Sequence, residues 1–328
     1  MSTEHPNFDG QLVYRACETR EIEATELLQV LADSESIPED SEPGVEHIGF
    51  EPLLFQSPEE LESERAREIE QRIHMIRYLS ESFGAEATVY DPDQDTRTSG
   101  MVVNPDSADI ATLSPDTILV RSPQRVFEEV YDYILERSPR GGRVRRISFS
   151  SDFLLWLYWR HISESHPDPE PRPITLSGAS FTGEMDMFGH EMDLSDSELA
   201  QSAVVIMSLS SGNQFQSLRG TFECQDNYIK MNISNDGRIH VLTAGDLRST
   251  STSERVLLAS DAVDTMIESY RNWESRPPGS KYPPFEFFSS LQERLSDYEI
   301  NGPAISDAVI ERYAEKRGED ISEYTGEP

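Results

Sequence analysis

The spacing of apolar residues along the chain predicts an alternation of helices and short strands. Between residues 57 and 83, apolar positions recur mostly every three or four residues, which is the period of an amphipathic helix. Ser57 is placed to cap this helix, Pro58 fits its first turn, and Gly84 fits the position just after its end. The pattern therefore predicts one helix over 57–83 that packs its apolar face on a core or on a partner helix.

Further elements follow along the chain. Pro123 begins a predicted helix, and the run FLLWLYW after Ser150 predicts a helix that is buried on all sides. Asn-Asp-Gly at 235–237 separates two strand-like runs and predicts a hairpin turn, because these residues tolerate positive φ. Short strand patterns also occur at 87–90, 101–104, 117–121, 144–149, 174–176, 203–209 and 255–259.

These elements predict an α/β or α+β fold with a mixed sheet, a late antiparallel hairpin, flanking helices and a C-terminal helical pair. The N-terminal segment, 1–56, holds a short helical pattern and a charged, proline-containing stretch, so we expect it to be partly flexible. The α/β core is expected over 57–273, with a sub-boundary where prolines cluster at 163–173. A proline-rich linker and the helical pair are expected over 274–328.

The charge balance narrows the setting in which this chain is stable. Its 328 residues include 61 Asp and Glu against 28 Lys and Arg, so the formal net charge is −33. Only three of the cations are lysines, at positions 230, 281 and 316. At molar salt the Debye length is about 3 Å, which largely screens the repulsion between carboxylates. The composition resembles that of cytoplasmic proteins from salt-accumulating haloarchaea, so we expect a cytoplasmic, halophilic protein.

Cysteine usage and apolar runs agree with that setting. Cys17 and Cys224 lie in unrelated contexts and are expected to be free thiols in a reducing compartment. The N-terminus lacks the basic and apolar regions of a signal peptide. The longest apolar run, Phe153–Trp159, is far shorter than the ~20 residues that span a bilayer. We therefore expect no membrane partner.

An arginine cluster is the most unusual local feature of the sequence. Its members fall within ten residues: Arg137, Arg140, Arg143, Arg145 and Arg146. Gly141 and Gly142 beside them let the backbone approach a ligand closely. Guanidinium groups suit phosphate and carboxylate, so we expect an anion site for a small molecule or nucleic acid. Internal ion pairing with the abundant carboxylates is the alternative.

Catalytic motifs are missing from the sequence. It contains no P-loop, GxSxG, GxGxxG or HExxH pattern, so we predict no catalytic residue and no cofactor. The acidic loop around residue 190 offers carboxylates and one imidazole that suit a divalent metal. Its candidate ligands are Asp186, His190, Glu191 and Asp193. A solvated loop is the alternative, because the spacing matches no established metal motif.

Three stretches carry a family resemblance: ILVRSPQRVFEEVYDYILERSPRGGRVRRISF, IKMNISNDGRIHVLTAGD and ASDAVDTMIESYRNWE. Over about 117–273, their order of strand, helix, strand, hairpin and helix resembles the effector domain of TrmB-type archaeal transcription regulators. That resemblance implies a degenerate phospholipase-D-like fold that binds ligands without hydrolase activity. The phospholipase signature His-x-Lys is absent here, since Leu242 stands two residues after His240.

These patterns favour a non-enzymatic regulatory or binding protein that engages an anionic ligand or nucleic acid through the arginine cluster. Nucleic-acid binding would need base contacts, bound cations or shape as well, because phosphate contacts weaken steeply with salt. One alternative is a metal-dependent enzyme that uses the loop around His190. Another is a structural or assembly subunit whose helices bind a protein partner or a second copy of the chain.

Overall fold

The computed structural model describes the chain in ten segments. They are 12–34, 48–53, 61–91, 96–138, 143–163, 171–182, 191–195, 199, 202–297 and 305–321. For residues 83, 89–91 and 191–195, the backbone alone is described. The chain divides into two compact units, Met1–Arg146 with Ser251–Ser260 and Ile147–Thr250 with Asp261–Pro328.

This division differs from the domain boundaries that the sequence predicts. The described parts of the predicted flexible segment, residues 12–34 and 48–53, supply two strands and a helix to the first unit. The boundary falls after Arg146 and not at the prolines of 163–173. The reason is burial: Leu27 and Leu31 are fully buried in the core of the first unit, and proline content does not report such long-range packing.

The first unit is built on an antiparallel sheet. Its elements in chain order are β1 (Leu12–Arg20), α1 (Ala24–Ser34), β2 (Ile48–Pro52), α2 (Glu64–Glu70), β3 (His74–Asp91), β4 (Thr96–Thr112), β5 (Thr117–Arg121), α3 (Gln124–Arg137) and β6 (Arg143–Arg146). The strand order is β2-β3-β4-β5-β1, and β6 also pairs with β1. Each of these pairs is antiparallel.

One face of this sheet forms the apolar core of the unit. Leu27 of α1 and Phe127 of α3 are buried in one cluster with the strand residues Ile76, Ile110 and Val120. These three strand residues are cross-strand neighbours on β3, β4 and β5. Removing such large apolar side chains from water is the main driving force for folding of this unit.

The opposite face of the same strands buries a row of charged side chains. Arg77, Asp109 and Arg121 are cross-strand neighbours, and Arg77 and Asp109 are each only 3% exposed. One carboxylate oxygen of Asp109 lies 3.0 Å from Nε of Arg77, and the other pairs with Arg121. Asp109 is therefore the shared counter-ion of the buried Arg77 and the largely buried Arg121.

A buried tyrosine lies on the neighbouring strand β1. The hydroxyl of Tyr14 lies 3.3 Å from Oγ of Ser260, and burial raises the pKa of Tyr14 to about 12.

Residues 57–83 do not form the single helix that their spacing predicts, so that prediction is wrong. In the described part, helix α2 is short, and its cap is Ser63, whose Oγ accepts a hydrogen bond from N of Ala66 at 3.0 Å. The predicted cap, Ser57, lies outside the described residues. Strand β3 then pairs with β4 from His74 to Asp91. Residues 75–78 are all buried, so no alternation of polar and apolar positions marks the strand.

The second unit combines an antiparallel sheet with a helical layer. Its elements are α4 (Ser151–Ile162), β7 (Arg172–Thr182), β8 (Glu191–Ser195), α5 (Ala203–Ser210), β9 (Gln214–Cys224), β10 (Asn227–Ser234), β11 (Ile239–Leu242), α6 (Thr252–Glu274, which begins in the first unit), α7 (Pro278–Lys281), α8 (Phe285–Asp297) and α9 (Asp307–Arg317). The strand order is β11-β10-β9-β7-β8. The predicted fold class, with a late antiparallel hairpin and C-terminal helices, is confirmed. None of the described helices is long and apolar enough to cross a membrane.

Helix α4 packs on strands β7 and β9 of this sheet. Its residues 153–160 are all buried, as the apolar run predicts, and Oγ of Ser150 caps it by accepting a hydrogen bond from N of Asp152. The carboxylate of Asp152 also accepts a hydrogen bond from the hydroxyl of Tyr313 at 3.0 Å. Its other oxygen lies 2.5 Å from Nζ of Lys316. One of the three lysines therefore ties α9 to the start of α4.

Two segments predicted as strands are helical, so both predictions are wrong. Residues 203–209 lie in α5, and residues 255–259 lie in α6, which begins eight residues before the predicted cap, Ser260. Oγ of Ser251 accepts a hydrogen bond from N of Glu254 and supports the observed start of α6. Both segments are apolar runs that are largely buried, and periodicity does not distinguish a buried helix from a buried strand.

Substitution of Asp109 by Asn is expected to destabilise the protein by about 3–5 kcal/mol, because it removes the buried carboxylate that pairs with both Arg77 and Arg121. Urea unfolding in molar KCl measures this change. The matched control is Glu68→Gln, which breaks the exposed pair with Arg65 and is expected to cost less than about 1 kcal/mol. Equal effects of the two substitutions would show that Asp109 is not the essential counter-ion.

Candidate functional site

The arginines of the predicted anion site lie on two elements of the first unit. Arg137 is in the last turn of α3, and its guanidinium lies 5.5 Å from the ring centre of Tyr133. The last three, Arg143, Arg145 and Arg146, form β6 with Val144. Arg140 lies outside the described residues.

Arg145 and Arg146 pair with carboxylates of the first unit. Nη2 of Arg145 lies 2.9 Å from a carboxylate oxygen of Glu18. Arg146 lies 2.5 Å from a carboxylate oxygen of Glu128, and its guanidinium stacks 4.0 Å from the ring centre of Tyr131. Both contacts favour the alternative that the sequence left open, in which the cluster pairs with carboxylates of the same chain.

The acidic loop predicted as a metal site falls mostly outside the described residues. This applies to Asp186 and His190, whereas Glu191 and Asp193 lie on β8, of which the backbone alone is described. In β8, Asp193 is the cross-strand partner of Ser180 on β7. Within the described ranges, no group of three or more His, Cys, Asp or Glu side chains is arranged to hold a metal. The metal site stays a prediction.

A polar pocket on the sheet of the second unit brings together residues that the sequence does not connect. It has a volume of about 330 Å³ and is lined by hydroxyl, amide and guanidinium groups and by the carboxylate of Asp236, from β7, β9, β10 and the β10–β11 turn. The side chains that matter here are those of Ser180, Gln216, Ser217, Arg219, Asn232, Ser234 and Arg238. We call this site the sheet pocket.

Alternation along the strands places these groups on one face. On β9, buried Leu218 separates Ser217 from Arg219, and on β10 buried Ile233 separates Asn232 from Ser234. The apolar residues face the core of the unit, so the polar residues between them face outward. The sheet pocket is therefore the outer surface of strands whose inner surface is the core.

Cross-strand register arranges the pocket in two rows. The first row joins Ser180, Ser217 and Ser234, which are partners across β7, β9 and β10. The second row joins Arg219 and Asn232 with His240, partners across β9, β10 and β11. Residues two apart on a strand are separated by about 7 Å, so the rows are about 7 Å apart.

The two arginines of the pocket both lower the pKa of the His240 imidazole. Burial lowers the pKa of His240, and the guanidiniums of Arg238 and Arg219 lower it further. Arg219 on β9 and Arg238, directly before β11, both line the sheet pocket. In the part of the chain that the structure describes, neither guanidinium pairs with a carboxylate. Asp236 contributes one carboxylate to the lining, and this carboxylate accepts a hydrogen bond from the backbone N of Arg238 at 3.1 Å.

The neutral part of the pocket holds hydrogen-bonding atoms that protein groups do not use. Oγ of Ser180 and Oγ of Ser217 are 2.6 Å apart and bond to each other. Oε1 of Gln216 and Oγ of Ser234 are buried, and no described group hydrogen-bonds to either atom. An unsatisfied buried polar atom costs about 1–3 kcal/mol, so these two atoms favour a ligand that supplies the missing bonds.

Comparison with known proteins assigns this chain to no family. No protein-family model matches the chain, and no curated protein sequence is similar to it. What the chain binds must therefore be inferred from the chemistry of its own residues.

Sequence reasoning missed the sheet pocket because its residues are spread over 61 positions, from 178 to 238. The available signal was the Asn-Asp-Gly hairpin, which fixes the pairing of β10 with β11. Polar residues alternate with apolar ones before this turn, Arg238 follows it directly, and Arg219 lies on the strand before β10. That pattern indicates a polar outer face but does not give the register with β7.

Substitution of Arg219 by Gln is expected to raise the pKa of His240 towards its ordinary value of 6.5. The reason is that the positive charge of Arg219, which disfavours a protonated imidazole, is removed. An NMR pH titration in KCl measures the imidazole, and His240→Gln identifies its signal. The control is Arg172→Gln, since Arg172 on β7 pairs with Glu223. A pKa that does not move in Arg219→Gln would contradict the proximity of these two groups.

Gly237 holds the turn that positions Asn235, Asp236 and Arg238. It has φ of +86°, and a Cβ at this position would lie 1.9 Å from O of Ile147. We expect Gly237→Ala to lower the free energy of unfolding by about 2–4 kcal/mol, from unfavourable φ and the displaced backbone. Gly318→Ala, with φ of +71° but open space around its Cβ, is the control and should cost about 1–2 kcal/mol in urea unfolding.

Proposed function

We propose that this chain is a non-enzymatic binding or regulatory protein of a halophile, and that it binds a small anion in the sheet pocket. The observation that carries the proposal is the pair Arg219 and Arg238, which share one pocket without a carboxylate partner among the described residues. Both side chains are exposed, so in a chain with a formal net charge of −33 they are positive groups that an anion can reach. Guanidinium groups bind phosphate and carboxylate with paired hydrogen bonds.

High salt favours a pocket over an open basic surface. At molar salt the Debye length is about 3 Å, so attraction over longer distances contributes little. Affinity then depends on hydrogen bonds made at contact, and a concave site makes several at once. The sheet pocket offers guanidinium, hydroxyl and amide groups within about 330 Å³, at the lower end of the usual size of small-molecule sites.

Binding without catalysis is favoured by the partners of the pocket's polar groups. The hydroxyls of Ser180 and Ser217 bond to each other, whereas an activated serine needs a general base as its partner. The imidazole of His240 is influenced by two arginines, whereas a catalytic imidazole is usually oriented by a carboxylate. A cytoplasm with molar salt remains the proposed setting, on the evidence of the acidic, lysine-poor composition.

The arginine cluster of the first unit is the second candidate for an anionic ligand or nucleic acid. Arg143, Arg145 and Arg146 lie on one short strand, and the side chains of all three are exposed. However, an anion there would compete with Glu18 and Glu128, which already pair with Arg145 and Arg146. For this reason we favour the sheet pocket.

The proposal predicts that inorganic phosphate binds the protein in molar KCl and that the double variant Arg219→Gln, Arg238→Gln binds it much more weakly. Each charged hydrogen-bonding group lost is worth about 1.5–3 kcal/mol, or about tenfold to a hundredfold in Kd. Isothermal titration calorimetry at constant KCl measures the loss.

The matched control removes the same charge from the other candidate site, as Arg143→Gln with Arg145→Gln. We expect this control to bind phosphate like the unchanged protein. Loss of binding only in the control would move the site to the arginine cluster. Phosphate binding that neither double variant weakens would contradict both sites.

A further inference from the structure

We infer that the sheet pocket is one end of a binding strip for single-stranded nucleic acid, in which cations hold phosphates and the ring of Tyr228 stacks on a base. This inference rests on the proposed function and extends it, because the anion in the pocket becomes one phosphate of a longer chain. We call the outward-facing residues of β10 the β10 strip: Ser234, Asn232, Lys230 and Tyr228.

The β10 strip follows from the alternation of residues along the strand. Every second residue of β10 is buried in the core of the second unit: Ile229, Met231 and Ile233. The residues between them therefore lie on the outer face. Ser234 and Asn232 line the sheet pocket, and Lys230 and Tyr228 continue the same face beyond it. From Ser234 to Tyr228 the strip is about 20 Å long, which is longer than a single phosphate or a single nucleotide needs.

Tyr228 presents an exposed ring at the far end of the strip. Its side chain is 45% exposed, whereas every other aromatic residue whose side chain the structure describes is buried or half-buried. Within that part of the chain, the ring of Tyr228 makes no aromatic or cation–π contact. An exposed ring on the face of a sheet is a surface on which unpaired nucleobases stack.

The positive charges of the strip lie on neighbouring rows. Lys230 is one of the three lysines of the chain, and its cross-strand neighbours are Thr221 and Leu242. Arg219 is the cross-strand partner of Asn232, so it lies one row closer to the pocket, about 7 Å away along the strand direction. Within the described ranges, neither cation pairs with a carboxylate. Two cations in successive rows suit the successive phosphates of a nucleic-acid backbone.

Carboxylates beside the strip are engaged within the second unit. Glu223, the cross-strand partner of Tyr228, pairs with Arg172 on β7. The carboxylate of Asp246 accepts a hydrogen bond from the backbone N of Tyr228 at 2.7 Å. Asp236 accepts a backbone hydrogen bond in the β10–β11 turn. These contacts leave the cations and the tyrosine ring as the groups that a ligand meets on the strip.

High salt makes the aromatic contact decisive for the choice of partner. The logarithm of affinity for single strands falls against the logarithm of salt with a slope of about −0.7 per phosphate neutralised, so phosphate contacts are weak in molar KCl. Stacking of a base on a ring tolerates any base sequence and does not depend on releasing counter-ions. An acidic peptide would meet the same cations but has no base to stack on Tyr228. Single-stranded nucleic acid therefore fits the strip better.

The test measures binding of a single-stranded oligothymidylate of about four nucleotides by isothermal titration calorimetry in molar KCl. The matched probe is an abasic oligomer of the same length, which has the phosphates without the bases. We expect the oligothymidylate to bind about fivefold to a hundredfold more tightly, because stacking of one base contributes that factor. Tyr228→Leu should remove this difference and leave binding of the abasic oligomer unchanged. Tyr228→Phe keeps the ring and should keep the difference.

Lys230→Gln separates the phosphate contact from the stacking contact. The plot of log affinity against log KCl is expected to become shallower by about 0.7, because one phosphate contact is lost. Lys230→Arg keeps the charge and should keep the slope, and Tyr228→Leu should keep it as well. Equal midpoints of urea unfolding check that all these variants are folded.

Three results would overturn the inference. They are equal affinity for the two oligomers, a difference between them that persists in Tyr228→Leu, and oligoglutamate that binds as tightly as oligothymidylate. Inorganic phosphate distinguishes these failures from a failure of the proposed function. If phosphate binds and depends on Arg219 and Arg238, the anion site stands and only the strip is wrong. If neither phosphate nor oligothymidylate binds, both are wrong.

Discussion

The buried row of Arg77, Asp109 and Arg121 holds three strands of the first unit in one register. A slip of one residue would move each charge to the opposite face, where it would lie without a partner among apolar side chains. The same register places Ile76 and Ile110 on the face that packs against α1 and α3. Because desolvation offsets much of the attraction in a buried ion pair, we infer that this row mainly specifies register and contributes less to net stability.

The second unit uses the same antiparallel alternation for a different purpose. Its strands bury Leu218 and Ile233 on one face and present serine, asparagine and arginine on the other. Register with β7 then brings Ser180 beside Ser217 and completes a concave polar surface. The pocket and the core of this unit are therefore two faces of one sheet, and Gly237 supports both because its turn sets the pairing of β10 with β11.

Positive charge is scarce in this chain, with 28 cations against 61 carboxylates, and several cations serve the fold itself. Lys316 fastens α9 to Asp152, and Arg145 pairs with Glu18. The guanidiniums in the sheet pocket have no such partner among the described residues, which makes them the strongest candidates for ligand contact. At high salt this contact has to be short-range, so the shape and hydrogen bonds of the pocket matter more than its charge alone.

Local sequence determined those elements in which period, cap and turn agree. The strand at 117–121, the buried helix after Ser150 and the hairpin around Gly237 are as the residues predict. The acidic, lysine-poor composition is likewise a property of the sequence alone. Tertiary structure decided the ambiguous apolar segments: residues 75–78 became a strand because β4 pairs with them, and 203–209 became a helix. It also decided the candidate site, because long-range register is what joins residues of four strands, and no local pattern encodes which strands pair.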